Sequence, residues 1–277
     1  MSDKPTTIEI KNFLNEDIGS GDITASIIPD SIYAEAHVIS RENMVVCGQA
    51  WFDAVFKTLN TEISINWLVS EGSVCKENTL LCKLHGSARD LLTGERTALN
   101  LLQTLSATAS VARQYADAVA GTQCRVLDTR KTIPGLRNAQ KYAVRCGGCF
   151  NHRTGLYDGV LIKENHIMAA GSIAMAISSA RKISNVPIEV EVESLDEYRL
   201  ALAAKPDRIM LDNFSVADMK TAVANNDGGI ELEASGDITL SNIREIAETG
   251  VDFISIGALT KHIKAINLSM RIVLEKS

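Results

Sequence analysis

No apolar run in this chain approaches the length of a membrane span, so a transmembrane protein is not expected. The stretch from Met168 to Ala180 lacks charge, but it is short and rich in Ala, Gly and Ser, which suits a buried helix. Positive charge is also scarce: 28 Lys and Arg stand against 34 Asp and Glu, a net charge of -6. An acidic chain repels phosphate backbones overall, so nucleic acid is not an expected partner. Any basic cluster must then be local, and a local cluster in an acidic protein holds a specific anion. There is no internal repeat and no low-complexity tract. The first residues, Met1 to Pro5, lack the charged-then-apolar layout of a signal peptide, and the expected location is the cytoplasm. Six cysteines are present, and Cys146-Gly147-Gly148-Cys149 has redox or metal spacing. No second pair completes a zinc site, so free thiols are expected.

What is there fits a folded enzyme. A chain of 277 residues suits one barrel with a smaller partner domain. Its 45% apolar and 22% charged residues rule out disorder as the default. Residues 1 to about 88 carry short alternating segments, 34–39 and 62–67, with a helical stretch over 50–59 between them. Alternation of period two marks strands with one buried face, so this half reads as a small α+β layer domain. A long helix follows from Arg89 to Val119, with Leu91, Ala98, Leu102, Leu105, Ala109, Ala112 and Val119 on one stripe. Gly121 ends it.

The second half alternates apolar strands with helical stretches. Strands are expected over 125–128, 160–163, 188–193, 208–212, 230–235 and 253–257. Such an order implies parallel strands joined by right-handed crossovers. Six units favour an incomplete (β/α) barrel beside an N-terminal α+β sandwich; an open doubly wound sheet is the alternative. The domains are expected at 1–113, including the linking helix, and 114–277, with a C-terminal tail able to pack back on the first.

Each expected strand finishes on polar groups, and active sites of βα-barrels form at that rim. Wet loops explain one or two polar ends. They do not explain Lys163 beside an apolar Val-Leu-Ile run, or Glu189, Glu191 and Glu193 facing one side of a strand. Arg96, Arg130, Lys131, His152, Arg153 and Lys163 form a cationic set. Brought together, they would hold a multiply charged anion, with arginine forks suited to carboxylates. Singly, each reads as a surface cation, and His152 as a core histidine. Glu191 and Asp212, at neighbouring strand ends, can hold Mg2+ through water while the ion bridges a pyrophosphate; a network with the nearby cations is the alternative. Ser235-Gly236 and Gly257-Ala258 sit where late barrel strands meet helix starts, the usual phosphate position, although glycine at a strand end also serves as a plain turn.

Several segments resemble the quinolinate phosphoribosyltransferase family. They are ERTALN at 95–100, DTRKTIPGLR at 128–137, KYAVRCGG at 141–148 and NHRTGL at 151–156. LIKENH at 161–166, EVEVE at 189–193, LDNF at 211–214 and EASG at 233–236 extend the likeness, which runs from EDIGSGDIT at 16–24 to Ser269-Met270. The resemblance implies an N-terminal α/β sandwich, an incomplete barrel, and a dimer or higher oligomer in which Arg96 of one subunit completes the other's site. It implies de novo NAD synthesis: phosphoribosyl pyrophosphate and quinolinate giving nicotinate mononucleotide, pyrophosphate and CO2. Positions matching Arg96, Arg130, Lys131, His152, Arg153 and Lys163 would hold the dicarboxylate. Those matching Glu191 and Asp212 would sit by the ribose and the metal-linked pyrophosphate, with Lys131 also binding phosphoribosyl pyrophosphate, and Lys131, Glu191 and Asp212 would act in catalysis. Ser235, Gly236, Gly257 and Ala258 would take phosphate. Three positions depart from the family: Asp237, Ala107 and Cys149 stand where glycine is usual.

Rival readings are a molybdenum-associated relative on the same scaffold, a Schiff-base aldolase using Lys163 as its amine, and a non-catalytic anion-binding protein.

Overall fold

The computed structural model describes residues 3–274. In chain order the elements begin with α1 (Thr7–Ile18), β1 (Tyr33–Ser40), β2 (Met44–Val45), α2 (Gln49–Leu59), β3 (Ser64–Trp67), β4 (Val74–Cys75) and β5 (Leu80–Ser87). The long α3 (Ala88–Ala118), β6 (Arg125–Leu127) and α4 (Arg137–Cys146) follow. Then come β7 (Val160–Ile162), α5 (Glu164–Ala170), α6 (Ile173–Ile183), β8 (Ile188–Val192), α7 (Leu195–Ala204) and β9 (Arg208–Asp212). The chain finishes with α8 (Val216–Ala224), β10 (Glu231–Ser235), α9 (Ile243–Ala247), β11 (Phe253–Ser255), α10 (Ala258–Lys261) and β12 (Leu268–Leu274).

The chain divides into two compact units. One comprises the residues up to Arg113, Asn138–Gly148, and those from His262 onward; the other comprises Gln114–Arg137 and Cys149–Lys261. In the first unit an antiparallel sheet runs β12-β1-β5-β3. The alternating burial of β1, where Ala34, Ala36 and Val38 are fully enclosed, gives this sheet one core face. The stripe read on the long helix is the buried one: Leu91, Ala98, Leu102, Leu105, Ala109 and Ala112 are all fully buried.

The first unit also holds the segment 138–148, which a linear reading leaves with the second half. Ala139, Ala143 and Val144 of α4 are buried. A Cβ on Gly147 would lie 2.4 Å from both the Ala109 carbonyl oxygen and the Ala112 Cβ. The small residues of α3 thus accept the end of α4 at a separation that only glycine permits.

In the second unit six parallel strands lie in the order β6-β11-β10-β9-β8-β7. The first strand in sequence pairs with the last, while the first and second do not pair in a ladder; Leu127 makes a single parallel bridge to Phe150 instead. That order is a barrel open between its first two strands, as the six units implied. An open doubly wound sheet would not bring β6 beside β11. The apolar runs are explained by burial: all five residues of β8 and all three of β11 are enclosed.

Two local expectations fail. The uncharged stretch from Met168 to Ala180 is not one buried helix. Gly171, at φ 91°, stops α5 in a left-handed cap, and Ser172 caps α6 by accepting from the Met175 N–H. α5 has no buried residue, and Met168 and Met175 are exposed. Glu193 does not join Glu189 and Glu191 on the inner face: β8 ends at Val192 and Glu193 is exposed.

Candidate active site

Strand register sets the layers of the site. Glu191 of β8 and Glu233 of β10 both stand level with Met210 of β9, and Asp212 pairs with Ser235 one layer above. Side chains of alternate residues share a face. The carboxyl ends of these strands therefore bring Glu191, Met210, Asp212, Ser235 and Ser255 to one cavity of about 360 Å³. Thr129, Arg130 and Lys131, in the loop after β6, line another side, with Leu161 and Lys163 from β7 and with His152 and Arg153.

Five of the six expected cations are brought together here. Arg130 and Arg153 lie close enough that repulsion joins burial in lowering the Arg153 pKa; burial is the larger cause. The Nε of Arg130 is buried and donates to no protein acceptor. A buried guanidinium donor without a partner is costly unless a ligand supplies the acceptor. Arg153 is braced by donating Nη1 to the Gly159 carbonyl at 3.1 Å. The Thr260 hydroxyl donates to the Lys131 carbonyl oxygen at 2.8 Å, fixing the backbone while the Lys131 side chain stays exposed. The sixth cation, Arg96, lies exposed on α3 in the other unit and does not line this cavity.

His152 reaches the cavity with its polar atoms engaged. Asp128, fully buried, accepts from the His152 backbone N–H at 2.9 Å and from Asn151 Nδ2 at 2.6 Å. The ring Nδ1 accepts from the Arg153 N–H at 2.7 Å. An accepting nitrogen carries no proton, so the ring proton is on Nε2, which lies 2.8 Å from Glu189 Oε2 and 3.6 Å from Glu233 Oε2. Arg208 donates to Glu233 at 3.0 Å. Burial pushes the Glu189 and Glu233 carboxyls up to about 7. This polar cluster around His152 is legible in the sequence in part, through Glu189. The alternation Glu231, Glu233, Ser235 on β10, matching Glu189 and Glu191 on β8, was the signal for the rest. Thr129, Ser255, Leu161 and Met210 carried no comparable signal.

The carboxylates Glu191 and Asp212 both face the cavity. Glu191 is paired with the Lys163 ammonium, and Asp212 accepts from Asn213 Nδ2 at 2.9 Å. The Lys163 side chain is 45% exposed and ion-paired, which is the opposite of the desolvated amine that Schiff-base chemistry needs.

The glycines sit at the rim and do not line the cavity itself. Gly236 has φ 99°, and a Cβ there would fall 2.1 Å from Asn213 Oδ1. Asp237 takes the left-handed conformation at φ 41°. A Cβ on Gly257 would fall 3.0 Å from Lys131 Cδ, so this glycine lets Lys131 lie against the end of β11; Ala258 begins α10.

A parallel barrel with cations and carboxylates converging at the carboxyl end of its strands defines an enzyme class that handles polyanionic substrates. Comparison with known proteins specifies it further. Residues 22–106 match the family described as quinolinate phosphoribosyl transferase, N-terminal domain, and residues 108–271 match its C-terminal domain. A probable nicotinate-nucleotide pyrophosphorylase (carboxylating) of Bacillus subtilis is 39% identical, over 96% of this chain and 94% of its own. A protein of the same description from Synechocystis is 41% identical, over 95% and 91%. The structure of the nicotinate-nucleotide pyrophosphorylase from Francisella tularensis superposes with a TM-score of 0.94 at 49% identity, covering 98% of each chain. The chain belongs to the quinolinate phosphoribosyltransferase family.

Among the described residues no helix is long and apolar enough to cross a membrane.

Proposed function

We propose that this protein transfers the phosphoribosyl group of phosphoribosyl pyrophosphate to quinolinate with loss of CO2, giving nicotinate mononucleotide and pyrophosphate for de novo NAD synthesis. The observation that carries this reading is the meeting of Arg130, Lys131, Arg153 and Lys163 with Glu191 and Asp212 in one cavity. Family membership supports it.

The dicarboxylate is held by the forks of Arg130 and Arg153, with Lys163 and Lys131 adding charge and His152 forming the wall they stand on. The unpartnered Nε of Arg130 is a donor waiting for such a carboxylate. Held this way, the pyridine nitrogen faces the anomeric carbon and attacks it as pyrophosphate leaves. Glu191 stabilises positive charge on the ribose as the C–O bond breaks. The alkylated ring is then a cation and an electron sink. The adjacent carboxylate departs as CO2, and Lys131 stabilises the carbanion left on the ring until it is protonated. Ser235, Gly236, Gly257 and Ala258 receive the 5′-phosphate at the strand-to-helix turns.

Glu191 and Asp212 suit Mg2+, which binds through one or two carboxylates together with substrate phosphates. Each has one oxygen engaged by a protein donor, Lys163 for Glu191 and Asn213 for Asp212, and together they would hold the ion. Held there, Mg2+ would supply positive charge against the leaving pyrophosphate. Arg96, exposed on α3, is assigned to the site of a second copy in a homodimer or larger assembly, as the family resemblance implies.

Pyrophosphate release with quinolinate against nicotinate tests the reading. Nicotinate lacks the second carboxylate that the two arginines would share and should be a poor substrate. Equal turnover of the two would overturn it, and so would tight quinolinate binding without turnover.

A further inference from the structure

The first unit contains a second cluster of reactive side chains that the proposed reaction does not use. Cys47, Glu71 and Cys146 come from three separate segments: the turn before α2, the loop before β4, and the last residue of α4. One ligand atom from each, two sulfurs and a carboxylate oxygen, lies within 4.8 Å of the other two. We propose that these three residues form a binding site for a thiophilic divalent cation of the Zn2+ type.

The spacing fits. Zn2+ takes sulfur at about 2.3 Å and carboxylate oxygen at about 2.0–2.2 Å, which puts tetrahedral neighbours about 3.6–3.8 Å apart. Small side-chain rotations close the cluster onto one ion. The donor set is selective as well: two thiolates exclude Mg2+ and Ca2+, which want oxygen throughout.

The ligands are held from behind, as metal ligands usually are. The Cys47 backbone is locked on Ser106: its N–H donates to the Ser106 hydroxyl at 3.0 Å, and that hydroxyl donates back to the Cys47 carbonyl at 3.1 Å. Glu71 accepts from the Gly48 N–H at 2.8 Å and from the Tyr142 hydroxyl at 3.0 Å through one oxygen, and from the Gln49 N–H at 3.2 Å through the other. Those three donors orient the carboxylate and leave it lone-pair capacity toward the thiols. Cys47 is fully buried, whereas Cys146 is half-buried and gives the ion its way in. Each thiol releases its proton to solvent as its sulfur–metal bond forms, and water completes the fourth position.

The test uses the reduced full-length protein, with Zn2+ and Co2+ as probes. One Zn2+ per chain should be retained against a chromophoric chelator. Co2+ should give the intense visible bands of a tetrahedral site together with a thiolate-to-metal charge-transfer band. Losing an outer partner of a metal ligand already weakens binding about 10- to 100-fold. Cys146→Ser, which removes a ligand, should cost more than that and abolish the charge-transfer band. Should that variant fold poorly, Glu71→Gln and the wild-type Co2+ spectrum decide the matter. Zn2+ should also raise the melting temperature of the wild type by mass action. Three results would overturn the proposal: no retained ion, a Co2+ spectrum without the thiolate band, or a Cys47–Cys146 disulfide in place of metal binding in protein handled in air.

Discussion

The ring Nε2 of His152 lies 2.8 Å from Glu189 Oε2, with Glu233 at 3.6 Å, so this cavity-lining imidazole stands beside two buried carboxyls, one of them paired with Arg208. Both glutamates are raised by burial from the ordinary value of 4.5 to about 7. An acid with a raised pKa keeps its proton longer in the folded state than in the unfolded chain. Between pH 4.5 and about 7 the folded state therefore binds more protons, and these groups lower stability as pH rises through that window. Above about 7 their contribution is constant. Glu233→Gln removes one titrating group and should make that decline shallower. Urea midpoints for both proteins at about pH 5 and about pH 7.5 check it; identical profiles would remove the buried pair from the explanation.

Arg130 and Arg153 should act on the acid substrate and leave phosphoribosyl pyrophosphate alone. A charge-assisted hydrogen bond is worth about 1.5–3 kcal/mol, so Arg130→Ala should lower kcat/KM for quinolinate at least about tenfold, up to a hundredfold or more. Arg130→Lys restores charge but no fork and should recover little. Steady-state kinetics with each substrate varied in turn separates the effects.

Gly236 faces Asn213 so closely that a Cβ would lie 2.1 Å from its Oδ1, and its φ of 99° is one that other residues rarely adopt. Gly236→Ala should distort the turn after β10 and raise KM for phosphoribosyl pyrophosphate, with a stability loss of roughly 1–3 kcal/mol. Thermal melting and the pyrophosphate assay together distinguish a local defect from global unfolding.

Gly147→Ala meets the α3 backbone at 2.4 Å and should destabilise the first unit by about 1–3 kcal/mol through overpacking. Urea denaturation reads it directly. A neutral result would mean that α3 and the end of α4 separate readily.

Arg96→Ala and Asp212→Asn test the shared site. Each alone should be nearly inactive. If Arg96 serves a neighbouring copy, mixing the two inactive variants after reversible dissociation should restore part of the activity. No recovery in a mixed oligomer would overturn the assignment of Arg96 to a neighbouring copy's site.

Much of this fold is legible in the sequence. The six parallel strands announce themselves as apolar runs because burial on both faces leaves no alternation, and their polar ends mark the rim. Strand ends were read one or two residues long at Asp128, Lys163, Glu193 and Gly257, because a polar residue closing a strand and one opening a loop look alike in sequence. The break at Gly171 was hidden by the uncharged residues around it. The grouping of α4 with the first unit rests on small residues far away in α3, a tertiary fact without local signature. The same holds for Cys47 and Cys146: their sequence neighbours, Cys149 included, suggested a different pair.

The proposed reaction is tested most directly by a single-turnover measurement with excess enzyme, phosphoribosyl pyrophosphate and quinolinate labelled in the carboxyl group next to the ring nitrogen. It predicts that labelled CO2 and pyrophosphate appear in equal amounts, with no CO2 when phosphoribosyl pyrophosphate is withheld. Pyrophosphate without CO2, or CO2 from quinolinate alone, would contradict it.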